Sequence, residues 1–404
     1  MSRKRVRKIN KFKIFRFILL VGIFGFLTFF GIRYYNEFKI ADNKKDDNNI
    51  IKDNKEESDS KLSLIMVGDN LIHDKIYNYA YRGGKYDFRS IFELIKPIVS
   101  NYDLAYYNQE TILGGSEIGL SSYPAFNSPY EVGDAMIDCG FNLVSLATNH
   151  TLDRGEKAII NSRNYWNSKS NVMAVGSYSS MNERNKVDIR ETNGIKYTLL
   201  NYTYGTNGIN VPSGKDYLVN IWPVTGSNPG SDSKYQEYKK TIKEDIDRVR
   251  DKVDLLMVAM HWGIEYENTP NSYQEDMAKY LNSLGVNIII GTHPHVIQPV
   301  TYVNDTLVIY SLGNFLSAHE VVNMANRVGL MTSVDVTLKD DKIELSNLNN
   351  ELLYTYYTSD YKDFKIVPFS QINSNYLANY EDIYDKYSSI VTKLNDKIKV
   401  VSLS

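Results

Sequence analysis

The chain has 404 residues, of which 43% are hydrophobic, and a formal net charge of −2. This length is enough for a large buried core, and the near-neutral charge excludes general nucleic-acid binding because it implies no broad basic face. The single cysteine, Cys139, excludes an internal disulfide, and its position in a predicted helix indicates a buried, inert thiol.

The first part of the chain predicts a membrane anchor. Residues 3–16 are strongly basic, and residues 17–32 form an unbroken apolar run that nearly spans a bilayer. Bulky residues follow the run where a cleaved signal peptide has small ones, which favours an uncleaved anchor. The basic flank predicts a single-pass protein of the cell membrane with a cytoplasmic N-terminus and an extracytoplasmic remainder. We expect a cytoplasmic segment at 1–16, a transmembrane signal anchor at 17–35 and a disordered, charge-rich linker at 36–61.

Short apolar runs alternate with amphipathic helical stretches from residue 62 onward. Strands are predicted at 62–67, 103–107, 142–147, 172–175, 197–204, 253–260, 286–290 and 306–311. Helices are predicted at 89–100, 129–139, 156–168 and 235–252, and a capping box at 272–275 opens a further helix that Gly285 closes. Residues 329–353 alternate with period two around a turn at 339–342, which predicts an antiparallel hairpin. Residues 205–233, rich in Gly, Asn, Ser and Pro, are predicted to be either disordered or a flap.

This alternation predicts a layered α/β domain at 62–353, followed by a tyrosine-rich helical extension at 354–404. In such a domain, polar side chains gather at the carboxyl ends of the strands. The side chains found there are Asp69 with His73, Glu110, Asn149 and His150 with Asp153, His261 with Glu265, and His293 with His295. Because alternate residues of an extended chain share a face, we expect the last two imidazoles to point the same way.

Carboxylates, an amide oxygen and imidazoles suit Zn, Mn or Fe better than Ca or Mg, because several of the ligands are nitrogens. They outnumber the ligands of one ion, which indicates two metals that share a carboxylate and clamp a phosphoryl group. Each residue alone also has an ordinary explanation, Asp69 as a helix cap, Glu110 as a surface loop residue and Asn149 as a turn residue. Their joint occurrence favours the metal site.

Six sequence blocks carry a resemblance to a known family, and they occur in order over about residues 62–315. The blocks are Val67-Gly68-Asp69, Asn108-Gln109-Glu110, residues 147–155 with Asn149, His150 and Asp153, His261-Trp262-Gly263 with Glu265, Gly291-Thr292-His293-Pro294-His295, and Tyr310-Ser311-Leu312-Gly313-Asn314-Phe315. The chain resembles the CapA family of poly-γ-glutamate capsule biosynthesis proteins, a membrane-anchored branch of the calcineurin-like metallophosphoesterases. The resemblance implies a four-layer α/β/β/α sandwich with a dinuclear metal site between the sheets.

The resemblance also implies a role for each metal ligand. Asp69 matches the first metal ligand, Glu110 the bridging carboxylate, and Asn149 a ligand of the second metal. The remaining ligands are matched by His261, His293 and His295. Two divalent transition metals, Mn, Zn or Fe, are the cofactors that this set implies.

Catalytic roles follow from the same resemblance. His150 resembles the group that protonates the leaving oxygen, with Asp153 as its orienting partner. The chain departs from the wider phosphoesterase pattern at Leu71, where a histidine is expected, and at Glu110, where an aspartate is expected. His73 is a candidate metal ligand in place of the missing histidine, provided that the backbone turns after the first aspartate.

The function implied by the resemblance is that of a membrane-anchored, extracytoplasmic component of poly-γ-glutamate capsule synthesis or export. Its expected partners are the membrane, an anionic polymer or a phosphorylated substrate, and other membrane proteins of a capsule synthesis complex. Two alternatives stay open. One is an active metal-dependent phosphoric ester hydrolase acting on a surface or lipid-linked phosphate, and the other is a non-catalytic scaffold that binds polymer.

Overall fold

The structure, a computed structural model, describes residues 59–226, 228–319 and 323–403. The predicted cytoplasmic segment at 1–16, the predicted anchor at 17–35 and most of the predicted linker at 36–61 lie outside these residues. Within the described ranges, no helix combines the length and the apolar character that crossing a membrane requires.

The described residues form strands, helices and short 3-10 turns. The strands are β1 (Ser60–Asn70), β2 (Tyr81–Arg82), β3 (Lys85–Tyr86), β4 (Leu104–Gln109), β5 (Leu143–Ser145), β6 (Met173–Val175), β7 (Arg190–Thr192), β8 (Ile195–Thr203), β9 (Leu255–His261), β10 (Ile288–Thr292), β11 (Val300–Val303), β12 (Thr306–Ile309), β13 (Asn314–Leu316), β14 (Val328–Lys339), β15 (Lys342–Tyr356) and β16 (Lys365–Pro368). The helices are α1 (Asp74–Ala80), α2 (Lys96–Val99), α3 (Glu131–Cys139), α4 (Gly155–Asn167), α5 (Met181–Asn185), α6 (Ser233–Asp247), α7 (Ser272–Ser283) and α8 (Tyr380–Val391).

The strands build two large sheets and a small hairpin. The first sheet has the order β16-β15-β14-β1-β4-β5-β6, with β13 pairing with β1 beside this path, and the second has the order β11-β12-β10-β9-β8-β7. The central strands run parallel, β1-β4-β5-β6 in the first sheet and β8-β9-β10-β12 in the second. Parallel neighbours need crossover connections, and the helices between the strands supply several of them. The mixed α/β class predicted from the sequence is confirmed.

The two sheets share one hydrophobic core. On β1, Leu64 and Met66 belong to the same buried cluster as Met257 of β9, whereas the intervening Ile65 belongs to a cluster that includes Met136 of α3. A third cluster joins the other face of β9 to helices α6 and α7. Because alternate residues of a strand point to opposite faces, each sheet has one face on the shared core and one face covered by helices.

Two predicted helices differ in detail from the observed ones. The stretch predicted as one helix at 89–100 consists of a 3-10 turn at Arg89–Phe92 and the short α2. Pro97 in the first turn of α2 has no N–H to bond back to the carbonyl oxygen of Glu93, so the hydrogen bonding of a continuous helix is interrupted there. The capping box of α7 lies one residue earlier than predicted, with Asn271 as the N-cap and Gln274 at N3.

The C-terminal region packs against the first sheet. β14 and β15 form the predicted antiparallel hairpin, and β16 adds to β15. Residue 353, where we predicted the end of the α/β domain, lies inside β15. Ile383, Tyr387 and Val391 of α8 are buried in the core that the two sheets share. Part of the tyrosine-rich extension therefore contributes to that core.

Gly291, in β10, shows how tightly the second sheet is packed beside the predicted histidines. A Cβ atom at this position would lie 2.0 Å from the carbonyl oxygen of Tyr310. Real carbon atoms cannot approach a backbone oxygen so closely, so a side chain here would push β10 and β12 apart. Glycine is therefore required for the course of the chain that leads into His293.

We expect Gly291→Ala to lower the free energy of unfolding by about 1–3 kcal/mol, because overpacking forces the backbone to shift. Urea unfolding followed by circular dichroism measures the change. Gly205→Ala is the matched control, since nothing lies within 4 Å of a Cβ atom at that position. Equal unfolding midpoints for the two variants would contradict the close approach of β10 to Tyr310.

Candidate metal centre

The polar side chains of the site come from strand ends in both sheets. Asp69 is the second-to-last residue of β1, and Glu110 directly follows β4. In the second sheet His261 is the last residue of β9, and His293 directly follows β10. The carboxyl ends of parallel strands lie at one edge of a sheet. Because the two sheets face each other, these edges lie close together and the four side chains meet.

Three groups of side chains are arranged so that they can hold a metal ion. They are Glu110 with His261 and His293, Asp69 with Glu110 and His295, and Glu265 with His293 and His295, and within each group the ligand atoms lie within 4.8 Å of one another. Glu110 Oε1 lies 3.8 Å from His261 Nε2 and 3.6 Å from His295 Nε2. The first two groups therefore share this carboxylate.

The hydrogen bonding of Glu110 tests whether these residues fit a cation. The side chain is buried, and neither carboxylate oxygen has a hydrogen-bond partner among the described residues. His293 Nδ1 is buried and unpartnered in the same part of the chain. A buried carboxylate without a partner costs several kcal/mol, on the order of 5, so such atoms are rare in native folds. A metal ion bonded to these atoms accounts for them, and the residues fit it.

Burial sets the charge state of the histidines. Desolvation holds the pKa values of His261 and His293 well below the ordinary value, which keeps both rings in the neutral form that binds metals. Burial also lowers the pKa of His295, but Glu110 and Asp69 outweigh it and raise the value to about 10. Burial raises the pKa of the Glu110 carboxyl above its usual range. A proton on His295 thus holds a positive charge beside Asp69 and Glu110, and a metal ion that binds there would have to displace it.

Asn149 and His150 follow β5 and lie beside the centre. Asn149 Oδ1 is 2.8 Å from Nε2 of His261. His150 Nδ1 is 2.7 Å from Asp153 Oδ2, which also accepts a hydrogen bond from the Phe126 N–H at 2.7 Å. With a carboxylate as its partner, Nδ1 carries the proton, and Nε2 is left for a substrate. The predicted pairing of this histidine with Asp153 is present.

The two histidines after β10 do not lie in an extended strand as we predicted. β10 ends at Thr292, and His293 and His295 have φ angles of 95° and 58°. Positive φ is costly for residues other than glycine and persists only where the surroundings fix it. The backbone N–H of His293 donates to Asp69 Oδ2 at 3.1 Å, which helps to fix this turn. The turn, and not strand alternation, brings both rings to the centre.

His73 lies apart from the metal groups. Its ring contacts His319 at 4.8 Å and Phe126 at 5.3 Å, and its Nδ1 accepts a hydrogen bond from the Ala318 N–H at 3.2 Å. Burial lowers its pKa to about 4. Among the described residues it is in none of the three groups, so its role as a metal ligand stays a prediction.

Several side chains at the centre received no role from the sequence. Asn108 donates to Asp69 Oδ1 at 2.7 Å, and Asn314 Oδ1 lies 3.0 Å from His295 Nδ1. Both residues belong to the six sequence blocks, so their position in those blocks could have indicated that they lie at the site. Asn207 contacts Asn149 and His150 at 3.1 and 3.3 Å. It lies in the segment 205–233 for which we predicted disorder or a flap, and no pattern marked it.

We expect Glu110→Met to stabilise the metal-free protein by about 1–3 kcal/mol, because it replaces a buried, unpartnered carboxylate with an apolar side chain. The gain should shrink as the pH falls through the raised pKa of the Glu110 carboxyl, because the wild-type side chain becomes neutral in the folded protein there. The same variant should lose the rise in melting temperature that Mn²⁺ produces in the wild type.

Differential scanning calorimetry with and without EDTA measures both effects. Glu344→Met is the matched control, because this carboxylate is exposed on β15 and should change neither value. A metal-free Glu110→Met protein that is less stable than the wild type would show that the carboxylate is satisfied without a metal.

Comparison with known proteins identifies the family of this chain. The family model described as bacterial capsule synthesis protein PGA_cap matches residues 63–319. The chain is 28% identical over 270 residues to the PGA biosynthesis protein CapA of Bacillus subtilis (strain 168), covering 64% of each protein. It is 28% identical over 267 residues to the capsule biosynthesis protein CapA of Bacillus anthracis, covering 65% of this chain and 61% of that protein. The chain thus spans less than two thirds of the length of these curated relatives.

The solved structures that match this fold in part have low sequence identity to the chain. The calcineurin-like phosphoesterase YfkN from Bacillus subtilis has a TM-score of 0.44 at 14% identity, covering 81% of this chain and 99% of that one. A phosphatase from Mycoplasma pneumoniae has a TM-score of 0.43 at 14% identity, covering 73% and 94%. Likenesses of this size carry no functional information. The family predicted from the six blocks is confirmed by the family model and the curated relatives, and the chain belongs to the bacterial capsule synthesis protein family PGA_cap.

Proposed function

We propose that this chain is a membrane-anchored, extracytoplasmic protein of capsule polymer synthesis or export that hydrolyses a phosphoric ester at a two-metal centre. The observation that carries the proposal is the buried carboxylate of Glu110. It belongs to two groups of possible ligands at once, and neither of its oxygens has another partner among the described residues. A carboxylate in this position is suited to bridge two cations.

Each proposed ion has its own set of ligands. Asp69, Glu110 and His295 would hold the first ion, and Glu110 with His261, His293 and Asn149 would hold the second. Mn, Zn or Fe fits this mixture of oxygen and nitrogen ligands. When bound, such a pair of ions supplies Lewis acidity toward a phosphoryl group and lowers the pKa of a bound water.

The protein's own side chains supply proton transfer and orientation. His150 lines the cavity beside the centre, and its hydrogen bond to Asp153 fixes the ring and leaves Nε2 available to a leaving oxygen. When the ring also carries a proton on Nε2, the Nε2–H can donate that proton to the leaving oxygen as the ester bond breaks. Asn207, which contacts both Asn149 and His150, holds these two side chains in their relative positions.

The arrangement of the sheets supports the finer architectural proposal. Each sheet has one face on the shared core and helices on the other face, which is the order of layers in a four-layer α/β/β/α sandwich. The ligands come from the strand ends of both sheets. We therefore propose that the fold is of the metallophosphoesterase type, with a dinuclear site between the sheets.

The biological part of the proposal rests on the family and on the N-terminal sequence. The curated relatives carry names of PGA or capsule biosynthesis proteins. The basic residues 3–16 and the apolar run 17–32 supply a single anchor. The partners proposed are the membrane, an anionic polymer or a phosphorylated substrate, and other membrane proteins of a capsule synthesis complex.

A specific observation favours a second candidate function, which is metal binding without turnover. Leu71, buried at the cavity wall, stands where the wider phosphoesterase pattern has a histidine. The group of Asp69, Glu110 and His295 is therefore one imidazole short of that pattern. An incomplete first site would leave one firmly held ion and a protein that binds polymer without cleaving an ester.

We expect His150→Ala to retain its metal and to lose hydrolysis by about 10²–10⁴-fold on methyl phosphate, whose leaving oxygen needs a proton. On 4-nitrophenyl phosphate, which has a stable leaving anion, the loss should stay within about 10-fold. Steady-state rates and elemental analysis of the same samples give both values. Equal losses on the two esters, or loss of metal from the variant, would contradict the role of general acid.

We expect the full-length protein to fractionate with membranes, and protease added outside intact cells to degrade the part after residue 35. The apolar run cannot leave the bilayer without exposing its whole surface to water. A variant lacking residues 17–35 is the control and should appear in the soluble fraction. Recovery of the wild-type protein in the cytosol would contradict the proposed membrane anchor.

A further inference from the structure

The cavity beside the metal centre is larger than a phosphate group requires. It has a volume of about 850 Å³ and includes His150 and His295 in its wall. Cavities of several hundred Å³ bind whole organic ligands with most of their surface buried. Most of this volume is therefore available to the part of the substrate that leaves with the ester oxygen.

The charge of the cavity wall excludes a polyanionic leaving group. Among the described residues that line it there is no lysine or arginine, and the one carboxylate is Glu265. An anionic chain entering the cavity would find no cationic partner beyond the metal centre and would meet that carboxylate. Juxtaposed like charges are costly at an interface, so the free volume suits an uncharged group.

Aromatic side chains supply most of the large surfaces of this wall. Tyr123 and Tyr266 stand at the mouth with 74% and 48% of their surfaces exposed. Phe126 and Tyr204 lie deeper, and the ring centroid of Tyr204 is 4.5 Å from that of His293. Tyrosines that line a cavity offer a flat apolar face and a polar hydroxyl, which together match a ring.

Tyr266 is held in an unusual conformation that points to a role. Its φ angle is 67°, a value that bulky residues rarely adopt. Its N–H donates to the carbonyl oxygen of Pro294 at 2.8 Å, which ties it to the turn that carries His293 and His295. Its ring centroid lies 5.9 Å from that of His295. Strain of this kind at a site persists where the position of the side chain matters.

We infer that the cavity binds phosphoric esters whose leaving group is an uncharged ring, with Tyr266 and Tyr123 as the residues that contact it. The inference rests on the proposed function for the position of the phosphate. Both a sugar and an aromatic group are uncharged rings that fit this description. Asn207 and Glu265 line the cavity and can form hydrogen bonds with the hydroxyls of a sugar. The anionic polymer itself does not enter the cavity.

Binding to the full-length, Mn²⁺-loaded protein tests this inference without depending on turnover. Calorimetric titration in the His150→Ala background compares glucose 1-phosphate and phenyl phosphate with methyl phosphate and 3-phosphoglycerate. We expect at least one ring ester to bind about 10-fold or more tightly than the latter two, and Tyr266→Ala to remove that difference. Tyr266→Phe should retain it. Tyr81→Ala is the matched control, because this tyrosine is 51% exposed and does not line the cavity.

Each outcome decides the question. Preference for glucose 1-phosphate identifies a sugar, and preference for phenyl phosphate identifies an aromatic group. Equal binding of all four esters, tightest binding of 3-phosphoglycerate, or an undiminished preference in Tyr266→Ala would overturn the inference, as would competition by poly-glutamate at matched ionic strength. Failure of the wild type to hydrolyse any of the esters contradicts the proposed function and leaves this binding test intact.

Discussion

The buried carboxylate of Glu110 is the constraint on which the rest of the site depends. Water cannot reach it, and no described donor satisfies either of its oxygens. Placing such a group in a protein interior is unfavourable by several kcal/mol, on the order of 5, unless a cation compensates it. In the metal-free chain a proton on His295 supplies part of that compensation, because Glu110 and Asp69 raise the pKa of this ring to about 10. A divalent ion would supply more, so the proposed metal binding would stabilise the fold.

The arrangement of the two facing sheets brings the candidate ligands together. Parallel strands from both sheets end at the same place, and β1, β4, β9 and β10 each supply a candidate ligand at or directly after their last residues. The close approach of β10 to Tyr310 requires Gly291, and the turn that follows is held by a hydrogen bond from His293 to Asp69. The geometry of the candidate metal centre therefore depends on backbone contacts as much as on the candidate ligands themselves.

Much of this site could be predicted from the sequence, because polar residues that follow apolar runs mark strand ends directly. Asp69, Glu110, His261 and His295 were found in this way, and the structure brings them together. Strand alternation does not place the histidine pair, because β10 ends at Thr292, before both residues. His319, with its ring centroid 5.5 Å from that of His295, received no role because the sixth block ends at Phe315 and the short strand β13 before this histidine was not predicted. Contacts from loops depend on three-dimensional packing, which leaves no periodic signal in the chain.

In the proposed function, Glu110 bridges two metal ions. An anomalous difference map from crystals of the protein grown with Mn²⁺ tests it most directly. We expect two peaks about 3.5–4 Å apart, both within bonding distance of Glu110. One should also contact Asp69 and His295, and the other should contact His261 and His293. A map with no peak at Glu110, in protein that is folded and otherwise well ordered, would contradict it.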